Sequence, residues 1–172
     1  MKKILLLLIL TITLTVSSCN SNTTSFEQSA HAYGYFSSIE YMFNASSSSI
    51  DSVSILAFDY TNVEIDETEL KLLKSLIQEL CEKENKTYIE GDMDELIQME
   101  YVDIYELEGG LTWPKSFPDG IFFQMTTVSK KENVIVTDIS MWRGSLSANG
   151  STFTAKYTDD SWEVTADGFW IS

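Results

Sequence analysis

The fold of this 172-residue chain is decided by residues 121–142, which read IFFQMTTVSKKENVIVTDISMW. Two runs rich in β-branched and aromatic residues, Ile121–Val128 and Val134–Trp142, flank the polar turn at residues 129–133. In the second run Ile135, Ile139 and Met141 share one face, as they do in a strand that buries that face. The pattern therefore predicts an antiparallel hairpin.

The residues that follow continue the β pattern to the end of the chain. The Asn149-Gly150 pair is a strong turn signal, and alternating residues follow it over 151–157. A second polar turn at residues 158–161 leads into another alternating run that begins at Trp162. We predict a C-terminal antiparallel meander of four strands.

The strongest helix signal covers residues 67–84. Asp66 is a good N-cap, Glu69 stands where a capping box needs it, and Ile65 and Leu70 occupy the positions of a hydrophobic staple. A strand at residues 53–60 precedes the helix, and another at 87–89 follows it, so the unit is either a βαβ crossover or a helix followed by an antiparallel strand. Spacing places one apolar stripe on this helix: Leu70, Leu73, Leu76, Ile77, Leu80 and Cys81.

Weaker patterns complete the prediction for the folded part. Residues 26–44 have helical spacing of aromatic residues, residues 46–49 suggest a loop, residues 92–99 a short helix, and residues 101–107 a strand that ends near a Gly109-Gly110 turn. The predicted fold class is α+β, with one or two amphipathic helices packed on a mainly antiparallel sheet.

The N-terminus has the order of a secretory signal. The basic start Met1-Lys2-Lys3 precedes an apolar run, Ile4–Val16, interrupted only by threonines, and the small residues Ser17 and Ser18 precede Cys19. As a helix this run is about 20 Å long at 1.5 Å per residue. A bilayer core of roughly 30 Å needs about 20 residues, so the run fits a signal peptide better than a membrane span.

The sequence Val16-Ser17-Ser18-Cys19 resembles the lipobox of bacterial lipoproteins. The resemblance implies cleavage before Cys19 and a diacylglyceryl group on its sulfur, a modification detectable with labelled palmitate. Residues 1–18 are then a lipoprotein signal peptide, 19–25 a lipidated flexible tether, and 26–172 a single α+β globular domain. An ordinary secretory signal with a chance cysteine and an uncleaved anchor remain the alternatives.

The lipobox resemblance also predicts where the protein is located. A separate resemblance covers the C-terminal end of the chain. Asn20 follows the cysteine where aspartate would retain an enteric lipoprotein in the inner membrane, so we expect an outer-membrane lipoprotein of the cell envelope. No acidic cluster like the surface-export signals of some bacterial lipoproteins directly follows Cys19, so we expect it to face the periplasm. The C-terminal segment, from about Lys156 to Ser172, resembles the ends of uncharacterised bacterial lipoproteins of this size. That second likeness implies no activity.

The charge balance restricts the partners. The chain has 11 basic and 26 acidic residues. Removal of residues 1–18 takes Lys2 and Lys3, leaving nine basic residues and a net charge near −17. Nucleic-acid phosphates need clustered lysine and arginine, so nucleic acid is excluded as a partner, and we expect membrane attachment through the acyl chains rather than through charge. A basic protein or peptide is compatible with this charge, as is a simple role in solubility.

No pattern predicts a catalytic, cofactor-binding or metal-binding residue. His31 is the only histidine, no Gly-x-Ser-x-Gly motif occurs, and the acidic stretch at residues 90–95 lacks the spacing of a calcium loop. Cys81 is predicted to be a buried structural thiol, and the single Arg143 an ion-pair partner. The four tryptophans are predicted to be core residues or members of cross-strand pairs: Trp113, Trp142, Trp162 and Trp170.

Two functions therefore stay open. One is a non-enzymatic binding or accessory module, which the acidic balance and the missing nucleophile–base set favour. The alternative is a carboxylate-dependent envelope hydrolase, which needs two carboxylates about 5–10 Å apart in a pocket. A flat or groove-like surface would favour binding.

Overall fold

The computed structural model describes residues 30–171, which form four helices and eight strands. The helices are α1 (His31–Ala45), α2 (Ser47–Asp51), α3 (Glu67–Lys83) and α4 (Met93–Gln98). The strands are β1 (Ile55–Asn62), β2 (Thr87–Glu90), β3 (Asp103–Glu106), β4 (Thr112–Ser116), β5 (Gly120–Lys131), β6 (Val134–Gly144), β7 (Ser147–Thr158) and β8 (Ser161–Ile171).

The strands form one mixed sheet in which antiparallel pairs predominate. Strands β5 to β8 pair antiparallel in chain order, which confirms the predicted C-terminal meander. The turn predicted at Asn149-Gly150 was wrong, because both residues lie inside β7 and the chain turns between Gly144 and Ser147. On the other side of β5, strand β1 runs parallel to it, and β2 runs parallel to β1. A short β3–β4 hairpin joins the sheet through one pair, Ser116 with Gly144. The α+β prediction is confirmed.

The segment from β1 to β2 is a βαβ crossover. Ile55 pairs with Thr87 and Phe58 with Glu90 in parallel register, which decides between the two alternatives that the sequence left open. The predicted apolar stripe of α3 faces the sheet, with Leu73 and Ile77 fully buried. Each such aliphatic side chain contributes roughly 1.5–3 kcal/mol when it is removed from water.

The two faces of the sheet are covered unequally. Alternation along β1 points Leu56 and Phe58 into a large core beneath α1 and α3, where Phe58 stacks on Phe123 with ring centroids 4.9 Å apart. On the opposite face Ala57 belongs to a small cluster beneath α4. The buried members of that second cluster are Ala57, Leu96, Val102, Phe117 and Phe122.

The predicted capping of the N-terminus of α3 is confirmed for Asp66 but not for Glu69. The Asp66 carboxylate accepts from the backbone N–H groups of Thr68 and Glu69, each at 2.9 Å. The Glu69 side chain does not complete a capping box, because its Oε1 accepts from the backbone N–H of His31, 2.8 Å away at the start of α1. Glu69 thus links two helices, and it supplies an acceptor that Ala30, the N-cap residue of α1, cannot provide.

A reciprocal capping box occurs instead at α4. The Asp92 carboxylate accepts from the N–H of Glu95 at 2.9 Å, and the Glu95 carboxylate accepts from the N–H of Asp92 at 3.0 Å. The predicted helix at residues 92–99 is therefore confirmed, with Asp92 as its N-cap.

Two local predictions were wrong or incomplete. The serine run at 46–49 is not a loop, because α2 begins there and buries Ile50 in the core. Strand β4 was not predicted, since Pro114 lowers strand propensity. Strand β4 pairs along its length only with β3, and it meets β6 only at Ser116. Pro114 therefore has no β6 partner that would need a backbone N–H, so the strand tolerates proline. The predicted α1 residues 26–29 lie outside the described part of the chain.

Close packing of α1 on the sheet generates a stability prediction. A Cβ on Gly34 would lie 2.6 Å from Ile135 Cδ1 and 2.9 Å from the Trp162 ring. We expect Gly34→Ala to lower the free energy of unfolding by about 1–3 kcal/mol, because overpacking outweighs the better helix propensity of alanine. Urea unfolding measures the loss.

Glu40→Ala on the same helix is the control, since Glu40 is exposed. Its effect should stay within about 0.5 kcal/mol. A Gly34→Ala protein as stable as the parent would show that α1 does not lie this close to β6 and β8.

Candidate functional site

The predicted lipid-attachment residue, Cys19, lies outside the described residues, as do the predicted signal peptide at 1–18 and tether at 19–25. Within residues 30–171, no helix is both long enough and apolar enough to cross a membrane. The described part of the chain offers two other candidate sites, an acidic cleft and an exposed apolar hairpin.

The acidic cleft lies at the carboxyl ends of the parallel strands β1 and β2. Crevices at this position are common ligand sites in sheets with parallel strands. Its volume is about 240 Å³. The lining residues come from β1, α3, β2 and the start of α4: Phe58, Asp59, Tyr60, Thr61, Leu70, Lys74, Glu90, Gly91, Asp92 and Glu95.

Structural contacts occupy the cleft carboxylates. Glu90 forms an ion pair with Lys74, and Asp92 and Glu95 form the capping box of α4. Asp59, only 5% exposed, accepts from the Thr61 N–H at 2.8 Å and from the Gln124 amide at 3.0 Å. The cleft is therefore negatively charged, but each of its carboxylates already has a hydrogen-bond or ionic partner.

The cleft lacks the residues of a serine or cysteine triad in the part of the chain that the structure describes. Its lining residues include no histidine, cysteine or serine among those that the structure describes. The same part of the chain brings together no three histidine, cysteine or carboxylate groups that could hold a metal ion. His31 lies elsewhere, with its Nδ1 3.5 Å from the Glu69 carboxylate and its Nε2 3.1 Å from the Lys131 carbonyl oxygen.

Hydroxyl and thiol groups of three buried or partly buried residues, one of which lines the cleft, are held in their neutral forms. The hydroxyls of Tyr60 and Tyr88 are 3.1 Å apart. Burial raises the pKa of Tyr60 well above its usual range and raises the pKa of Tyr88 to about 12. Burial likewise raises the pKa of Cys81 to about 12, and the thiol is inaccessible. The thiol nucleophile is therefore suppressed, as expected of a structural cysteine.

The second candidate is the β3–β4 hairpin, whose large side chains face solvent. Tyr105 pairs with Trp113 across the two strands. Leu107 and Leu111 continue the same face towards the tip, where the Leu107 N–H donates to the Leu111 carbonyl at 2.8 Å. The exposed fractions are 45% for Tyr105, 51% for Leu107, 68% for Leu111 and 64% for Trp113. We call these four residues the hairpin face.

The hairpin is anchored at its base and free at its tip. At the base, Val102 and Phe117 are buried, and the Phe117 N–H donates to the Arg143 carbonyl at 2.8 Å. At the tip, Gly109 and Gly110 have φ values of 90° and 78°, which glycine adopts without strain. No other part of the described chain lies within 4 Å of where a Cβ would be at either glycine. The hairpin therefore projects from the sheet.

The tryptophans divide between packing and exposure. Trp142 packs in the small cluster, Trp162 packs against the large core, and Trp170 pairs with Gly150 across β7 and β8. Trp113 also has a cross-strand partner, but that pair lies in solvent. The sequence signal for the hairpin face is the alternation of large apolar residues on both sides of Gly109-Gly110. The sequence analysis missed it because β4 was not recognised as a strand.

Arg143 does not form the predicted ion pair within the described residues. Its guanidinium donates to the Ser52 hydroxyl at 2.8 Å and to the Pro118 carbonyl oxygen at 3.3 Å. Arg143 thereby links Ser52, which precedes β1, to Pro118 in the loop before β5. The prediction was wrong because carbonyl and hydroxyl acceptors, rather than carboxylates, surround the end of β6.

The buried hydroxyls and thiol predict alkaline destabilisation. Their pKa values are higher in the folded chain than the ordinary values of 10.0 for tyrosine and 9.0 for cysteine. The stabilising contribution of these groups is therefore complete when the pH is below their ordinary pKa values. It is lost as the pH rises from the ordinary pKa towards the higher pKa of the folded chain. We expect the free energy of unfolding, measured with urea at several pH values, to fall above about pH 9.

Above pH 10, Tyr60→Phe should make the fall of the free energy of unfolding with pH less steep by about 1.4 kcal/mol per pH unit, which is the linkage of one proton. Tyr41→Phe is the control, because Tyr41 is exposed on α1. Equal slopes in the parent and in Tyr60→Phe would contradict the burial of this hydroxyl.

Comparisons with known proteins add no identification. No protein-family model matches the sequence, and neither the curated proteins nor the solved structures contain a match.

Proposed function

We propose that this protein is a bacterial envelope lipoprotein, anchored by acyl chains on Cys19, whose domain is a non-enzymatic binding or accessory module. The support for the anchor is the order of basic start, short apolar run, small residues and cysteine at residues 1–19. Two or three acyl chains hold a protein on a membrane durably, whereas one chain is marginal. By the residue after Cys19, the protein belongs to the outer membrane, and since no acidic cluster directly follows that cysteine, it faces the periplasm.

The observation that carries the binding function is the exposed hairpin face. Large apolar and aromatic side chains grouped in solvent are typical of interaction sites. Tyrosine and tryptophan are also the residues that most often dominate interface energies. In a chain with 26 acidic residues, solubility explains exposed charge but does not explain four exposed apolar residues on a projecting hairpin.

The positions of the two ends of the sheet fit this proposal. The chain enters α1 at His31, whose ring contacts Lys131 at the far end of β5. The hairpin base lies beside Gly120 and Gly144, at the start of β5 and the end of β6. Strand β5 has 12 residues, so at about 3.3 Å per residue these ends are roughly 35 Å apart. A tether that leaves from His31 therefore starts at the end opposite the hairpin.

The alternative, a carboxylate-dependent envelope hydrolase, has one favourable observation. The cleft is concave, and Asp59, Glu90, Asp92 and Glu95 line it. Because the ion pair, the capping box and the Asp59 contacts engage all four carboxylates, we rank this function second.

Glycan hydrolysis by the purified protein separates the two functions. If the cleft is not catalytic, release of reducing ends from isolated cell wall stays at the background rate and is the same for the parent and Glu90→Gln. Release that disappears in Glu90→Gln but persists in Glu67→Gln, an exposed residue of α3, would establish the hydrolase instead.

The anchor makes a separate prediction. Cells that express Cys19→Ala should incorporate no labelled palmitate into this protein, and the protein should leave the membrane fraction, because the acyl chains supply its membrane affinity. Metabolic labelling and membrane fractionation measure both results.

Cys81→Ala is the matched control, since Cys81 is the other cysteine and is buried in the core. It should keep both the label and the membrane location. Labelling that persists in Cys19→Ala, or a native protein isolated with residues 1–18 still attached, would overturn the lipoprotein assignment.

A further inference from the structure

We propose that the β3–β4 hairpin binds an extended polypeptide segment in which apolar and basic residues alternate, and that this segment pairs along the free edge of β3. The inference rests on the proposed binding function and deepens it, because it names the surface and the chemistry of the partner. The argument uses the strand edge, the alternation of side chains, and the local charge.

The strand edge comes first. Strand β3 is the last strand on its side of the sheet and pairs only with β4 within residues 30–171. The outer edge of such a strand carries backbone N–H and C=O groups that another extended chain can pair with. Strand addition of this kind is a common mode of peptide recognition, in which backbone pairing gives affinity and alternate side chains give specificity.

The alternation of side chains gives the pattern of the partner. Successive side chains of a strand point to opposite faces. Tyr105 and Leu107 therefore lie on the hairpin face, whereas Glu106 lies on the other face together with Ile104. Glu108 follows in the turn, and all five residues are exposed. A strand added beside β3 places its own alternate residues on the same two faces. Apolar residues would then meet Tyr105 and Leu107, and basic residues would meet Glu106 and, in the turn, Glu108.

The local charge also favours a basic partner. Residues 100–116 contain four carboxylates and a single lysine. That lysine, Lys115, has its Nζ 5.5 Å from the centre of the Tyr105 ring. The geometry is that of a cation–π contact, so the hairpin face already accommodates one cation. The four carboxylates are Glu100, Asp103, Glu106 and Glu108, all exposed.

Three other occupants fit less well. A second copy would bring one acidic hairpin against another, and anionic lipid would be repelled in the same way. The chain's own residues 19–29 contain no lysine or arginine, so they lack the basic half of the pattern. A separate basic polypeptide therefore fits the surface best.

The test uses the full chain in nanodiscs of neutral phosphatidylcholine and a labelled seven-residue peptide in which lysine and valine alternate. Fluorescence anisotropy should show saturable binding that weakens as salt is added. Three control peptides separate the contributions: glutamate in place of lysine, the same composition with lysines and valines in separate blocks, and the alternating peptide with methylated backbone nitrogens. Each control should bind at least about tenfold more weakly.

Variants of the protein locate the binding. Trp113→Ala should weaken binding of the alternating peptide about tenfold or more. Tyr41→Ala, which removes an exposed aromatic residue from α1, should leave binding unchanged. The double change Glu106→Gln with Glu108→Gln should weaken binding at low salt and flatten its salt dependence, whereas Glu67→Gln on α3 should do neither.

Several outcomes would overturn the proposal. These are absence of peptide binding, equal binding of the alternating and block peptides, and equal effects of Trp113→Ala and Tyr41→Ala. Trp113-dependent binding of the Cys19→Ala chain to lipid vesicles would assign the hairpin to the membrane. Trp113-dependent dimerisation in sedimentation would assign it to a second copy.

An experiment that contradicts peptide binding by the hairpin can be distinguished from one that contradicts the lipoprotein assignment. Peptide binding reports on residues 103–116 and does not require acylation, whereas palmitate labelling reports on Cys19 alone. An unlabelled protein that binds the alternating peptide would keep this inference and remove the anchor.

Discussion

The structure depends on the parallel pairing of β1 with β5 at the centre of the sheet. This pair joins the N-terminal βαβ unit to the C-terminal meander, and its pairing runs from Ile55 opposite Gly120 to Asn62 opposite Thr126, with a register shift after Asp59. The stacked rings of Phe58 and Phe123 lie beneath the helices and bury one face of the junction. Without this pairing, β1 and β2 would not belong to the same sheet as the meander.

Parallel pairing also dictates where the chain must travel. A strand parallel to its neighbour has to start at the same end of the sheet, so the chain returns to that end between β2 and β5. Helix α4 and the β3–β4 hairpin make this return, with α4 on the face opposite α1 and α3 and the hairpin extending the sheet beyond β6. The acidic cleft at the carboxyl ends of β1 and β2 and the hairpin at their amino ends are both consequences of one topological requirement.

The hairpin combines exposed apolar side chains with exposed carboxylates, in a chain that is acidic overall. The acidic surface keeps the domain soluble and repels anionic lipid, so in our proposal the acyl chains alone hold it at the membrane. The hairpin lies at the other end of the sheet from His31, where the described chain begins. Its apolar face is thereby available to a partner that approaches from the aqueous side.

Sequence alone determined the elements whose signals are local. The alternation in residues 121–167 predicted the meander, and the Asp66 cap and apolar stripe predicted α3, because turn chemistry and periodicity act over a few residues. The tertiary structure decided what depends on distant residues: the parallel register of β1, the diversion of Glu69 to His31, and the neutral acceptors around Arg143. It also decided the exposure of Trp113, because a tryptophan in a strand has the same local pattern whether or not another layer covers it.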